Sequence, residues 1–188
     1  MRTLLLSFSA LAVLACTSTL HAQSAAPKAL LSPFKAPAAL AACGPKKTRF
    51  AVKLEHHPFT PSAPPSGLAR VYLITETQAV PLTHTPITKI GMDGHWIGAN
   101  KMASYLALNV APGRHRFCAT IAGRGLEAFR MSAPTSVALV NLDAQSGHTY
   151  YLWNYSMGAG DAFTLTSINP DQAAMYMEAM PRSVSHQK

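Results

Sequence analysis

The chain has 188 residues, of which 48% are hydrophobic and 13% charged, with 14 Pro, 11 Gly and 3 Cys. That length suits one domain of roughly 100 to 150 residues with flanking segments and excludes two large domains. Collagen-like, coiled-coil and wholly disordered chains are excluded as well, because the glycines have no period, charged heptads are absent and the apolar fraction is ordinary. Only eight carboxylates stand against 16 Lys and Arg, and their scatter leaves little material for acid–base chemistry.

Met1-Arg2-Thr3 makes a short positive start, and residues 4–15 (LLLSFSALAVLA) form an apolar run of 12. This is the length of a signal-peptide core, whereas a spanning helix needs about 20 residues. Leu20-His21-Ala22 then offers a small residue where a signal peptidase reads, so residues 1–22 are expected to be removed and the exported chain to begin at Gln23. Val13-Leu14-Ala15-Cys16 offers a second exit, since it resembles a bacterial lipobox in which Cys16 would be acylated and would tether the chain to the outer membrane. The bulky Leu14 sits where that motif usually carries a small residue. Loss of residues 1–22 removes one basic residue, Arg2, leaving 15 Lys and Arg against 8 Asp and Glu, a net charge of +7. Such a charge favours anionic lipid, wall polymer or polysaccharide, or serves solubility alone, since no Lys/Arg run exceeds two residues. Nucleic acid is not expected as a partner, because the chain is exported and carries no aromatic-basic recognition signature.

Whichever exit Cys16 takes, Cys43 and Cys118 remain in a compartment that permits disulfides. A bond between them would add about 4 to 5 kcal/mol through loop-closure entropy. The alternative is one buried and one exposed thiol.

Residues 23–44 are rich in Ala and Pro without turn chemistry or a sustained period, which reads as a flexible tether. A domain is expected over 45–180. In residues 48–54 (TRFAVKL), Phe50, Val52 and Leu54 alternate with Arg49 and Lys53, the period of a half-buried strand. Four prolines within 56–67 forbid helix there and favour an extended crossing. Core strands follow across 68–168, at 68–74, 87–92, 95–98, 104–110, 114–121, 135–142, 148–155 and 163–168. Between them stand Asp93-Gly94, a two-residue hairpin turn, and Pro112-Gly113, which fits the centre of a type II turn. Seven or eight strands without intervening helices predict a small antiparallel β-sandwich. One short helix closes the domain over 170–180, with Asn169 as N-cap, Pro170 at the first position and Pro181 as stop, and 181–188 is left as a tail.

The chemistry-bearing residue types are dispersed. His56-His57 are adjacent and on extended backbone point to opposite faces, and His84, His95, His115 and His148 form no ligand spacing, so no metal site and no cofactor is expected. Met175, Met177 and Met180 invite a copper reading, but Met177 and Met180 share a helix face with Ala173 and Ala174, as an apolar stripe would. There is no G-x-S-x-G elbow, and Gly123-Arg124-Gly125 lacks the third glycine of a phosphate loop. No catalytic residue is assigned, and the protein is expected not to be an enzyme. The aromatics are more suggestive. Tyr151, Trp153 and Tyr155 alternate onto one face of a strand and Tyr150 and Leu152 onto the other, and one of these faces must be core. If Tyr151 and Trp153 lay beside Trp96, Arg114 and Arg116 in solvent, the five would form a platform for a sugar ring or a partner protein.

The stretches Ala69-Arg70-Val71-Tyr72-Leu73-Ile74, Ile90 to Gly98, Val110-Ala111-Pro112-Gly113-Arg114-His115 and Ala144 to Tyr151 resemble a bacterial envelope family catalogued as a domain of unknown function. That resemblance implies a β-sandwich similar to PEGA-type and immunoglobulin-like domains, exported and often lipoprotein, and it supplies no catalytic residue. The expectation is therefore a periplasmic or extracellular envelope accessory domain, structural or protein-binding. Its candidate partners are an envelope protein or an anionic wall polymer, with the membrane reached only through Cys16. The alternative is a carbohydrate- or wall-polymer-binding module using the exposed aromatic and basic residues.

Overall fold

The structure is a computed structural model that describes residues 43–45, 47–76, 87–122, 137–156 and 163–188. The expected signal peptide, Cys16, the tether up to residue 42, His84 and Gly123-Arg124-Gly125 lie outside the described residues.

Among the described residues, ten strands and one complete helix follow one another as β1 (Phe50–Glu55), β2 (Ala69–Thr75), β3 (Ile87–Met92), β4 (His95–Lys101), β5 (Ser104–Val110), β6 (Gly113–Ala122), β7 (Val137–Ala144), β8 (Thr149–Ser156), β9 (Phe163–Ser167), α1 (Pro170–Glu178) and β10 (Arg182–Gln187). They build a six-stranded sheet in the order β1-β10-β5-β2-β8-β9 and a four-stranded sheet in the order β4-β3-β6-β7. The two sheets make the expected all-β sandwich with one short helix. Between them lies a core of Val71, Leu73, Leu106, Val110 and Leu152 from the larger sheet against Ile90, Phe117 and Leu142 from the smaller. The antiparallel order has two exceptions, β2 with β8 and β10 with β5, which pair in parallel.

Local sequence explains the corners. Asp93 and Gly94 both take positive φ, 53° and 84°, as a two-residue hairpin of matching twist requires. At the start of α1 the Asn169 side chain accepts the Gln172 N–H at 2.8 Å, Pro170 occupies the first turn, and Asp171 complements the dipole.

The C-terminal segment departs from expectation. Residues 181–188 are not a tail: they form β10, which pairs with β1 along its whole length, from Phe50 opposite Gln187 to Glu55 opposite Arg182. The sequence signal was weak because the alternation in Arg182-Ser183-Val184-Ser185-His186 puts serines, not apolar residues, on the inward face. Those serines have a specific task. The edge of β4 would otherwise leave unpaired donors, and the Ser185 hydroxyl accepts the Ala99 N–H at 3.0 Å while the Ser183 hydroxyl accepts the Lys101 N–H at 3.2 Å. Ser104 donates to the Lys101 carbonyl at 2.6 Å, so in the 2.7 Å contact between Ser104 and Ser183 it is Ser183 that donates. These rungs fasten the β1–β10 ribbon across the side of the sandwich to the other sheet.

Removing one rung should therefore strand a donor in a buried place. Ser183→Ala is expected to lower the free energy of unfolding by about 1 to 3 kcal/mol, read by urea denaturation, whereas Gln187→Ala, exposed on the same strand, should stay within about 0.5 kcal/mol of the parent. Equal losses in the two variants would show that the hydroxyl rungs do not hold the ribbon.

Candidate functional site

The outer face of the smaller sheet is crossed by residues 43–45. Cys43 is bonded to Cys118 of β6 across a sequence separation of 75, so the expected disulfide is formed. Gly91 of β3 lies directly beneath: a Cβ there would fall on the Cys43 carbonyl oxygen and the Cys118 Sγ, so only glycine lets the strap lie flat. Trp96 completes the clamp. Its Nε1 donates to the Pro45 carbonyl at 2.8 Å, Gly44 packs on its ring, and the residue is only 8% exposed. Lys89 holds its ammonium 4.2 Å from the centre of the indole, and burial pulls the pKa of that ammonium down. With Val137, Phe50 and Leu139 these residues form a second apolar cluster on this face.

A third cluster covers the opposite outer face, on the larger sheet. Tyr72 stacks on Tyr151 with ring centres 5.5 Å apart, and Phe59 of the proline-rich crossing meets Tyr72 and Tyr105 edge-on at 5.6 Å each. Trp153 stacks on Tyr155 at 4.1 Å and on Tyr176 of α1 at 5.7 Å, which ties the helix to β8. Ala173 and Met177 of the helix are fully buried against this layer, while Met175 is 63% exposed. Burial raises the phenol pKa of both Tyr105 and Tyr151.

The five residues expected to make one platform are therefore not brought together. Trp96, Arg114 and Arg116 belong to the smaller sheet, Tyr151 and Trp153 to the outer face of the larger one, with the whole sandwich between them. Trp96 is taken up by the strap, and Tyr151 and Trp153 stack within the fold. The question of which face of β8 is core has a double answer, since Leu152 lies in the inter-sheet core and Tyr151 and Trp153 pack under α1. Arg114 and Arg116 are exposed, directly across from Asp143 and Asn141 of β7.

At the same end of the smaller sheet a polar cluster joins the Asp93-Gly94 hairpin to the corner at 111–112, where the chain passes from β5 of the larger sheet to β6 of the smaller. His115 Nδ1 lies 2.7 Å from Asp93 Oδ2, and its Nε2 lies 2.8 Å from the Ala111 carbonyl oxygen. Both partners can only accept, so the ring makes both bonds only as the doubly protonated imidazolium. The hydrogen bond to Asp93 raises the His115 pKa above its ordinary value, burial opposes the rise, and the Ala111 carbonyl adds to it. For Asp93, burial pulls the pKa upward, but the Arg116 N–H at 2.8 Å and the His115 ring outweigh it and hold the carboxyl below its usual range. Sequence reasoning saw Asp93 only as a turn residue and His115 singly, since 22 positions separate them. Among the described residues no group of three or more His, Cys, Asp or Glu side chains is placed to hold a metal ion. Compared with family models, with curated proteins and with solved structures, the chain gives no match.

The His115–Asp93 bond has a defined pH signature. The raised His115 pKa gives stability that is present below the unfolded value of about 6.5 and is lost as pH rises through the folded value. The lowered Asp93 pKa gives stability that is present above about 3.9 and is lost as pH falls through its folded value. The pair should thus stabilise most between about pH 4 and 6.5. An NMR titration is expected to find His115 above its ordinary pKa in the parent and lower in Asp93→Asn. An unchanged value in that variant would remove Asp93 as the cause.

Proposed function

We propose that this protein is an exported bacterial envelope accessory domain, non-enzymatic, with a structural or protein-binding role. Kinship with PEGA-like envelope domains, and anchorage through an acylated Cys16 where the first residues are not simply cleaved, belong to the same proposal. The observation that carries it is the Cys43–Cys118 bond. A disulfide fits an oxidising, exported compartment, and no described helix is long and apolar enough to cross a membrane.

The position of the bond adds a mechanical reason. Residue 43 is where the chain enters the domain from the Ala/Pro-rich segment, and Cys118 sits on β6, an interior strand of the smaller sheet. Traction on the preceding segment would load a covalent bond to the centre of a sheet before it could peel β1 from β10. That arrangement suits a domain held at the end of a tether. The aromatic layers support the same reading, because they are spent on fastening the strap and the helix to the sheets and not on presenting a reactive cleft.

Intact mass of the protein recovered from a bacterial envelope, before and after reduction and alkylation, tests this. The expected result is a chain starting at Gln23, or at an acylated Cys16, with two alkylations on Cys43 and Cys118 appearing only after reduction. A chain that retains Met1 and takes up both alkyl groups without reduction would overturn the export reading and the account of the strap together.

A further inference from the structure

The first strand leaves part of its backbone without a partner. In the six-stranded sheet β1 stands at the end of the order and pairs with β10 alone. The Lys188 N–H donates to the Arg49 carbonyl at 3.0 Å, so Arg49, just before β1, and Lys188 form a hydrogen-bonded pair. Such pairs alternate with non-hydrogen-bonded ones along an antiparallel ladder, which turns the N–H and C=O groups of Ala51, Lys53 and Glu55 toward β10 as well. Those of Phe50, Val52 and Leu54 point the other way, and among the described residues no hydrogen bond reaches them. An edge of this kind is a template for another strand.

The usual protections of an edge are thin here. β1 has no proline, its pairing runs without a bulge from Phe50 to Glu55, and Phe50, Val52 and Leu54 are apolar and half-buried. Its one exposed residue is Lys53. Charge decides which strand fits. Arg49 faces Lys188 across the ladder, like opposite like, and Glu55 stands at the far end of the strand. Among the described residues neither Arg49 nor Glu55 belongs to an ion pair. Consider a second β1 laid antiparallel along the free edge, with Val52 opposite Val52 about a two-fold axis. Phe50 of each copy then forms a hydrogen-bonded pair with Leu54 of the other, and Arg49 of each stands opposite Glu55 of the other. Lys53 meets Ala51. A slip of two residues in either direction sets Lys53 against its own counterpart or against Arg49, so one register alone is complementary in both hydrogen bonds and charge.

We infer that two copies of this protein associate through their β1 edges, antiparallel about a two-fold axis, into one continuous sheet in which Arg49 of each copy faces Glu55 of the other. The contact is a single pair of short strands, smaller than a standard protein–protein interface, so the dimer forms in the micromolar range or above and exchanges readily. It requires neither export nor an anchor.

Sedimentation velocity of the protein recovered from the envelope, from about 1 µM to about 1 mM, tests it. A monomer–dimer equilibrium is expected. Arg49→Glu and Glu55→Arg each turn both attractive pairs repulsive and should weaken the dimer at least about tenfold. An equimolar mixture of the two variants restores both pairs and should associate about as tightly as the parent. In the parent itself, amide exchange at Phe50, Val52 and Leu54 should slow as concentration rises, whereas Ala51 and Lys53, already paired with β10, should not change. A monomer at every concentration, a mixture no tighter than its components, or assembly beyond the dimer overturns the inference. Exchange at Val52 that is unchanged on dimerisation would place the contact on another face and overturn it too. So would protection of Val52 already at the lowest concentration, which would mean that another part of the same chain covers the edge. None of these outcomes bears on where the chain begins or whether its cysteines are bonded, so the export reading stands or falls separately.

Discussion

Both sheets must be covered on both faces, and the rest of the architecture follows from that constraint. Along β2 every residue from Val71 to Thr75 is buried, so neither side of that strand can meet water. Val71 and Leu73 are served by the opposing sheet, but Tyr72 and Ile74 look the other way and need a second cover. The helix and the proline-rich crossing supply it, through Ala173, Met177 and Phe59. The smaller sheet has the same problem at Trp96, Cys118 and Val137, which among the described residues are covered by the strap and Phe50. The covalent bond from Cys43 to Cys118 fixes that strap to the sheet it covers. The parallel pairing of β2 with β8 belongs to the same logic, since parallel strands occur where both faces of a sheet are covered.

Polar groups in the interior mark where the apolar core stops. Thr75 and Asn154 on the larger sheet and Thr88 and Asn100 on the smaller are all buried, and the Asn100 amide donates across the sandwich to the Leu73 carbonyl at 2.8 Å. Among the described residues the side-chain oxygens of Asn100 and Asn154 have no hydrogen-bond partner. Buried acceptors left unmatched cost stability, whereas the other end of the sandwich is closed by the Asp93 turn and the His115 bonds.

The elements that sequence reasoning located were those whose instructions are local. Asp93-Gly94 and Asn169-Pro170 each dictate a backbone geometry within two or three residues and produced the expected turn and cap, whereas Gly113 takes a φ of 132° within β6 and does not make the expected type II turn with Pro112. Along β5 and β6 the alternating residues Leu106, Val110, Phe117 and Ala119 lie in the inter-sheet core, with Leu108 partly buried against it. What failed was whatever depended on a distant partner. Ser183 and Ser185 read as tail residues because the groups they satisfy, the amides of Ala99 and Lys101, are more than 80 positions away. The platform of Trp96, Arg114, Arg116, Tyr151 and Trp153 failed for a related reason: adjacency along the chain does not say that β6 and β8 enter different sheets. Asp93 and His115 meet because β3 pairs with β6, and no spacing rule announces that.

The strap, β1 and β10 behave as one unit with two attachments of different kind. One is covalent, at Cys118, and the other is the set of serine rungs on β4. Lys47 and Arg49 lie a few residues beyond the covalent point, and Lys188 pairs with Arg49 at the same end of the ribbon. A force acting on those cations therefore acts close to the bond that holds the strap, not on the mid-strand hydrogen bonds that alone join β1 to β10. Repulsion between Arg49 and Lys188 would fray that end of an unbridged ribbon. Its proximity to Cys43 limits how far the fraying can go. The most strongly charged end of the domain can thus remain paired because it lies next to the one covalent cross-link among the described residues.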